Sequence, residues 1–416
     1  MMSAMSSAGT PFPSSPSSLQ DPGGSGRSWQ TVGPAVALVL VALCLRGPFA
    51  AVGPVLGDVG DELSLSTGAL AVVTSLPLVC FGLLSPVAPA LAARLGLHRA
   101  VLAGTAVIVV GLALRSAGAV GLFVGTVLLT GGIAIANVLL PAVARAEYGS
   151  RSAVVVGAVT GSMALSASLG AGLAQPLTAR TGSAMGGLAL WLVPVTAALM
   201  GLVLLARARP ENPTPPPPPG RRTAILRDRV GLAVMIFFGL QSLSFYAMLT
   251  WLAGILEGDA GVSPVTAGAL VAVAALLGAP LSLLVPPLAA RRPRQGAWVV
   301  AASVPVAVGI LGLLLAPDVA PALWAVLYGL GTGAAFPLAM TLVLVRSRDA
   351  AQTGRLSAAS QSLGYLLAAT GPLAVGLLHE ATDGWTAGLL VLLGVLVVQT
   401  AVGLVAARPR LVRADA

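Results

Sequence analysis

Residues 32–54 read VGPAVALVLVALCLRGPFAAVGP, an apolar run with one full charge, Arg46, near its middle. At ~1.5 Å rise per residue, a run of this length crosses the ~30 Å hydrocarbon core of a bilayer as a helix. Arg46 then lies at mid-membrane, where a guanidinium costs about 2.5–3.5 kcal/mol to insert and so faces a bundle interior or a wet cavity rather than lipid. Something within the bundle, or something passing through it, has to pair with that charge.

Composition agrees with a membrane environment. The 416 residues are 56% hydrophobic and 9% charged, with a mean hydropathy of +0.94, whereas soluble domains carry roughly a quarter charged residues. The chain is predicted to be an all-α polytopic membrane protein. All 23 Lys-plus-Arg positions are Arg, which removes the P-loop lysine and with it an ATP-driven motor in this chain. Cys44 and Cys80 both fall within apolar runs, where a thiol behaves as a small apolar group, so neither a disulfide nor a metal site is implied.

Apolar windows recur at about 31–55, 67–92, 98–118, 121–144, 152–177, 185–206, 229–256, 264–290, 296–316, 320–345, 354–379 and 385–407, which makes twelve spans. Residues 1–31 are rich in Ser, Pro and Gly and are predicted to be a disordered tail. The gap 207–228 holds Pro213 and Pro215–Pro219 beside Arg221 and Arg222, a stiff linker between six spans in 32–206 and six in 229–407, with a tail at 408–416. Twenty arginines lie on the side of the termini and linker, Arg115 and Arg180 lie opposite, and Arg46 lies inside. The positive-inside rule then puts both termini and the linker in the cytoplasm, and the basic balance speaks of topology rather than of a nucleic-acid partner.

The halves resemble each other. Leu91–Arg94 (LAAR) recurs as Leu288–Arg291, and the fifth window opens at Gly157 (GAVT) as the eleventh does at Gly354 (GRLS), both offsets being 197 residues. A duplicated six-span unit places a substrate site at the repeat interface near the midplane.

The stretches LRGPFAAVGPVL (45–56), TSLPLVCFGLLSPVAPALAARLG (74–96), GIAIANVLLPAV (132–143), FFGLQSLSFYAMLTWL (237–252), GAAFPLAMTL (333–342) and RLSAASQSLGYLLAATGPLAVGLLHEATDGWT (355–386) resemble the major facilitator superfamily, and within it the cyanate permease and nitroimidazole transporter (CynX/NimT-type) family. The resemblance runs from about 40 to 390 and implies twelve helices in two pseudo-symmetric halves working by alternating access. The chain departs from the family pattern at Cys44, where Asn is usual, at Gly47-Pro48, where Pro follows the arginine directly, and at Ala93, where the cytoplasmic loop motif has Asp.

Polar side chains within the spans are few. Arg46 is either a substrate ligand or a charge neutralised by helix carbonyls and amide neighbours. Asn137 is either a cavity ligand or an interhelical hydrogen bond. Gln241 pairs with Phe245, and Ser242 with Tyr246, at i, i+4 on span seven; Ser357, Gln361 and Tyr365 form an i, i+4, i+8 stripe on span eleven. Those stripes line a cavity or a helix contact, and the resemblance favours the cavity. Phe336-Pro337 suits a hydrophobic gate and a kink. His98 is placed in a solvated cytoplasmic loop and His379 near the outer end of span eleven. Arg46, Asn137, Gln241, Tyr246, Phe336, Gln361 and Tyr365 are therefore the candidate substrate-binding residues, with no catalytic residue, metal or cofactor.

The sequence predicts a secondary transporter, a monomer in the cytoplasmic membrane, for a small anion or small polar heteroaromatic. The alternatives are efflux of lipophilic compounds, for which an aromatic content of 4% is sparse, and a non-transporting sensor, for which no folded signalling segment is present outside the spans. An enzyme is disfavoured because the spans hold no carboxylate or His cluster to serve as acid, base or nucleophile.

Overall fold

The computed structural model describes residues 24–208 and 222–413, helical with no strand among them. Hydrocarbon forces this, since an apolar chain in lipid has to satisfy its backbone N–H and C=O groups within each segment. The first span is Gly24–Leu45, continued after a break at Arg46 by Gly47–Ala50, Gly53–Val55 and Leu56–Leu63; the second is Thr67–Leu84 with Val87–Leu95. The third, fourth and fifth are Leu97–Arg115, Gly118–Tyr148 and Ser152–Thr181, and the sixth is Ala184–Ala189 with Leu192–Ala208. In the second half follow Arg229–Gly258, Pro264–Leu276 with Gly278–Ala290, Gly296–Leu315, Pro321–Arg346, Ala350–Thr382 and Thr386–Ala406.

Ten helical stretches among the described residues are long and apolar enough to cross a membrane, and the second span, bent by 53° after Leu84, makes eleven. The stretch from Gly118 to Thr181 counts as one of the ten, yet at ~1.5 Å per residue it would run ~96 Å. Gly149, at φ +48°, divides it into two spans. The fold is thus the twelve-helix bundle of two similar halves. The second and eighth spans begin at Thr67 and Pro264, 197 residues apart, and the fifth and eleventh at Ser152 and Ala350, 198 apart.

Three boundaries differ from the sequence expectation. The first helix starts at Gly24 rather than after residue 31. Part of the 207–228 linker is helical, because the sixth span runs to Ala208 and a short helix covers Arg222–Arg227. Helix hydrogen bonding propagates past the apolar run into polar residues, which hydropathy alone cannot mark. The remaining tail and linker residues, 1–23, 209–221 and 414–416, lie outside the described residues. The C-terminal segment packs under the bundle, with Val412 N–H donating to Arg346 O at 2.9 Å and Gln352 Nε2 to Arg413 O at 2.7 Å.

The halves touch on the face that carries the arginine-rich loops. Thr160 Oγ1 of the fifth span donates to Ser282 O of the eighth at 3.1 Å, and Ser362 Oγ of the eleventh to Gly82 O of the second at 2.6 Å. Gly157 permits the fifth and eighth spans to close on each other, since a Cβ there would stand 3.1 Å from Leu283 O. Towards the opposite face the halves part and a cavity opens between them.

Candidate functional site

Arg46 occupies the break in the first span. Gly47-Pro48 end the helix because Pro48 has no N–H to continue the ladder, and Ser166 of the fifth span closes the gap. Its Oγ donates to Leu43 O at 2.5 Å and accepts from Gly47 N–H at 2.7 Å. Gly170 makes the approach possible, as a Cβ there would fall 2.4 Å from Gly47 O.

From the break the Arg46 side chain crosses to the other half. Nη1 donates to the Tyr246 hydroxyl at 3.5 Å, and the guanidinium carbon lies 5.6 Å from the centroid of the Phe336 ring. The Tyr365 hydroxyl also interacts with it. Tyr365 is fixed by rings on three sides, with centroids 5.2 Å away at Phe81, 5.4 Å at Phe238 and 6.5 Å at Tyr246. All these partners are neutral. The ion pairs His98–Glu147 and Arg413–Asp228 lie elsewhere, and neither involves Arg46.

The cavity has a volume of about 810 Å³, and Arg46, Gln241, Tyr246, Phe336 and Tyr365 line it together. Gln241 is tied down by Nε2 bonds to Phe238 O at 3.1 Å and Ser242 Oγ at 2.6 Å. Much of the remaining wall is small or apolar, with Val73, Ala164, Ala167, Ala171 and Leu249 among its residues. Acidic residues of the first span sit beyond the cavity at the helix end. Asp58 accepts from Gln175 Nε2 at 3.1 Å, and Glu62 accepts from Ser183 Oγ at 2.7 Å and Ala184 N–H at 2.8 Å, capping the sixth span.

Asn137 and Gln361 are not on this wall. They line a separate gap of about 20 Å³ together with Phe336, Met340 and Tyr365. Gln361 Nε2 donates there to Ser357 Oγ at 2.9 Å and to the Asn137 carbonyl at 3.3 Å, joining the halves. Both Asn137 side-chain polar atoms lack a partner among the described residues. Helical periodicity put Gln361 and Tyr365 on one inward face but could not give their depth.

Arg115, read from the sequence only as lying on the face opposite the termini, is the last residue of the third helix, is 2% exposed, and forms part of the cavity wall, a role the sequence reading missed. Its Nη1 donates to Pro48 O at 2.9 Å, so it holds the far side of the break beside Arg46. Only Ser116 and Ala117 separate the third and fourth helices; a link this short, with no room to carry a long side chain into water, was the signal available. His98 differs as well, lying in the first turn of the third helix with its Nε2 2.5 Å from Glu147 Oε1, whereas His379 lies near the end of the eleventh span and stacks on Trp385 at 3.7 Å.

The Major Facilitator Superfamily model matches residues 38–372. The chain belongs to the major facilitator superfamily. Within the superfamily it is of the cyanate and nitroimidazole transporter type. It is 36% identical over 376 residues to the uncharacterized transporter YycB of Bacillus subtilis (strain 168), covering 90% of this chain and 93% of that one. It is 32% identical over 379 residues to the 2-nitroimidazole transporter of Escherichia coli (strain K12), covering 90% and 95%, and 28% identical over 353 residues to the cyanate transport protein CynX of the same organism, covering 84% and 91%. Among solved structures, the proton:xylose symporter XylE bound to 6-bromo-6-deoxy-D-glucose superposes with a TM-score of 0.76 at 12% identity, over 92% of this chain and 98% of that one, a likeness of fold. This superfamily chain is a multi-pass membrane transporter.

Proposed function

We propose that this protein carries a small anion or a small polar heteroaromatic, cyanate-like or nitroimidazole-like, across the cytoplasmic membrane by alternating access, with both termini and the linker in the cytoplasm. The observation that carries the reading is Arg46, a guanidinium in the central cavity held by tyrosine hydroxyls and an aromatic face, with no carboxylate partner among the described residues. A charge neutralised for structure alone takes an acid or a set of carbonyls. One held by weak neutral partners keeps its field and its planar donor fork for a delocalised anion or for ring acceptors. Arg46, Tyr246, Tyr365, Phe336 and Gln241 form the site in this reading, and Asn137 and Gln361 are contacts between the halves beneath it. The positive-inside rule makes the open face the outer one, so the conformation is outward-facing. Relatives named for 2-nitroimidazole and cyanate transport fit this chemistry.

One observation favours lipophilic efflux as a second reading, namely the apolar stretches of a wall enclosing about 810 Å³. Purified protein in liposomes, tested with cyanate, nitrate, bicarbonate and 2-nitroimidazole against a panel of lipophilic cations, separates the two. Uptake confined to the first group is expected, and transport of the cations alone overturns the proposal.

A further inference from the structure

We propose that five arginines at one corner of the arginine-rich face, Arg291, Arg292, Arg294, Arg408 and Arg410, form a docking site for anionic phospholipid headgroups. The first three lie in the turn between the eighth span, which ends at Ala290, and the ninth, which starts at Gly296; Arg408 and Arg410 follow the twelfth, which ends at Ala406. All five are exposed, and their guanidiniums have no hydrogen-bond or ion-pair partner among the described residues. The acids beside the C-terminal segment are already engaged. Asp228 accepts from Val230 N–H at 2.8 Å and Gly231 N–H at 2.9 Å and pairs with Arg413, and Asp349 accepts from Gln352 N–H at 2.7 Å. Arg346, Arg348 and Arg413 of the same face bond to the protein itself, which leaves the five for a partner.

Topology asks only for positive charge on one side of the bilayer, which a trailing tail supplies as well as a fixed patch. Here a buried clamp sets where the charge sits. Gln295 is 1% exposed and Arg346 4%. Gln295 Nε2 donates to Ala289 O at 3.3 Å and to Arg292 O, which folds the turn back on the eighth span, and its N–H donates to Ala407 O at 3.3 Å. Arg346 donates from Nη2 to Gln295 Oε1 and from Nε to Ala406 O at 2.9 Å. The turn and the C-terminal segment are thereby held side by side, so a headgroup meets charges already assembled and no loop has to be ordered on binding. Guanidiniums at the membrane surface hold phosphate by charge-assisted bonds and by the field of the cluster. The exposed Leu288 and Leu404, a few residues back along the eighth and twelfth spans, offer the acyl chains an apolar wall. That continuity of charge with lipid-facing surface fits a phospholipid rather than a soluble anion.

The test uses the full chain in a non-ionic detergent, with short-chain phosphatidylglycerol, phosphatidylcholine of the same chain length and inorganic phosphate as probes. A ligand that binds only the folded state raises the thermal midpoint with its concentration, and apparent affinity is read from that rise. Phosphatidylglycerol is expected to bind wild type roughly tenfold or more tighter than phosphatidylcholine. The preference is expected to vanish when all five arginines are changed to Gln, and to persist when Arg94, Arg99, Arg151 and Arg207, exposed arginines of the first half, are changed to Gln together. Arg408→Gln with Arg410→Gln, at the end of the chain, is expected to lose roughly tenfold and stands in for the five-fold variant if that one fails to fold. An equal response to the two lipids overturns the proposal, as does a preference that survives loss of the five arginines or, in the stand-in, of the two. An equal loss in the first-half variant makes the effect a field of the whole face and overturns the local site, and inorganic phosphate that reproduces the rise overturns the assignment to lipid.

Discussion

At the residue scale, the hydroxyl of Tyr246 is the cavity group hydrogen-bonded to Arg46, so removing it tests whether the guanidinium is positioned or merely present. Tyr246→Phe keeps the ring and loses a bond worth about 0.5–1.5 kcal/mol. Substrate affinity by calorimetry is expected to fall roughly three- to tenfold with the melting temperature nearly unchanged; unaltered affinity would take Tyr246 out of the site. Among its described residues the cavity wall holds no Asp, Glu or His. Affinity for thiocyanate, the anion of a strong acid, should therefore be flat between about pH 5.5 and 8; a sigmoid dependence would require a titrating group outside this wall. Arg46 was legible in the sequence because one charge in a 23-residue apolar run has nowhere else to go. Arg115 was not, since a charge at the end of a run looks like a loop residue until the fold shows the Pro48 carbonyl it reaches. Asn137 and Gln361 mark the same limit, because periodicity reports the face of a helix and not its height in the bundle.

At the element scale, the broken first span depends on two residues of the fifth. Ser166→Ala leaves Leu43 O and Gly47 N–H without their partner, and an unsatisfied buried backbone group costs about 1–3 kcal/mol. Gly170→Ala drives a Cβ into the Gly47 backbone, 2.4 Å from its oxygen and 2.8 Å from its Cα, so the break has to move. Both variants are expected to lower the melting temperature in nanodiscs, and Gly170→Ala is expected to weaken substrate binding more than Tyr246→Phe does because it shifts Arg46 itself. A Gly170→Ala protein with wild-type affinity would show that the position of the break is immaterial. The apolar pattern reads 32–54 as one continuous helix and passes over the break at Gly47-Pro48, and Ser166 and Gly170, some 120 residues away, carry no local mark of the contact. The start of the first helix at Gly24 was likewise hidden, since its first turns are polar.

At the scale of the whole molecule, the duplicated halves could be read from the 197-residue offsets, and the helix starts repeat them. The conformation could not, because the same sequence has to support states open to either side and differs between them only in which contacts are made. Here Ser362–Gly82, Thr160–Ser282 and Gln361–Asn137 close the arginine-rich face. With the native Cys44 and Cys80 buried, single cysteines report topology cleanly. A cysteine at Pro293 is expected to react only from the cytoplasm, and one at Ala260 only from outside intact cells. One at Thr126, on the cavity wall, is expected to react from outside and to be protected by substrate. Labelling of Pro293→Cys from outside would invert the topology.

Arg46 decides the account most directly. With purified Arg46→Ala, melting temperature and liposome uptake are measured on the same preparation, beside wild type and Arg46→Lys. Removing a mid-membrane charge that has no acid partner should leave the protein folded with a melting temperature at or above wild type, while uptake of the transported anion falls to the empty-liposome level and Arg46→Lys retains at most weak transport. A well-folded Arg46→Ala protein that transports normally, or one that melts far below wild type while the surviving fraction still transports, would contradict the account and make Arg46 a structural residue.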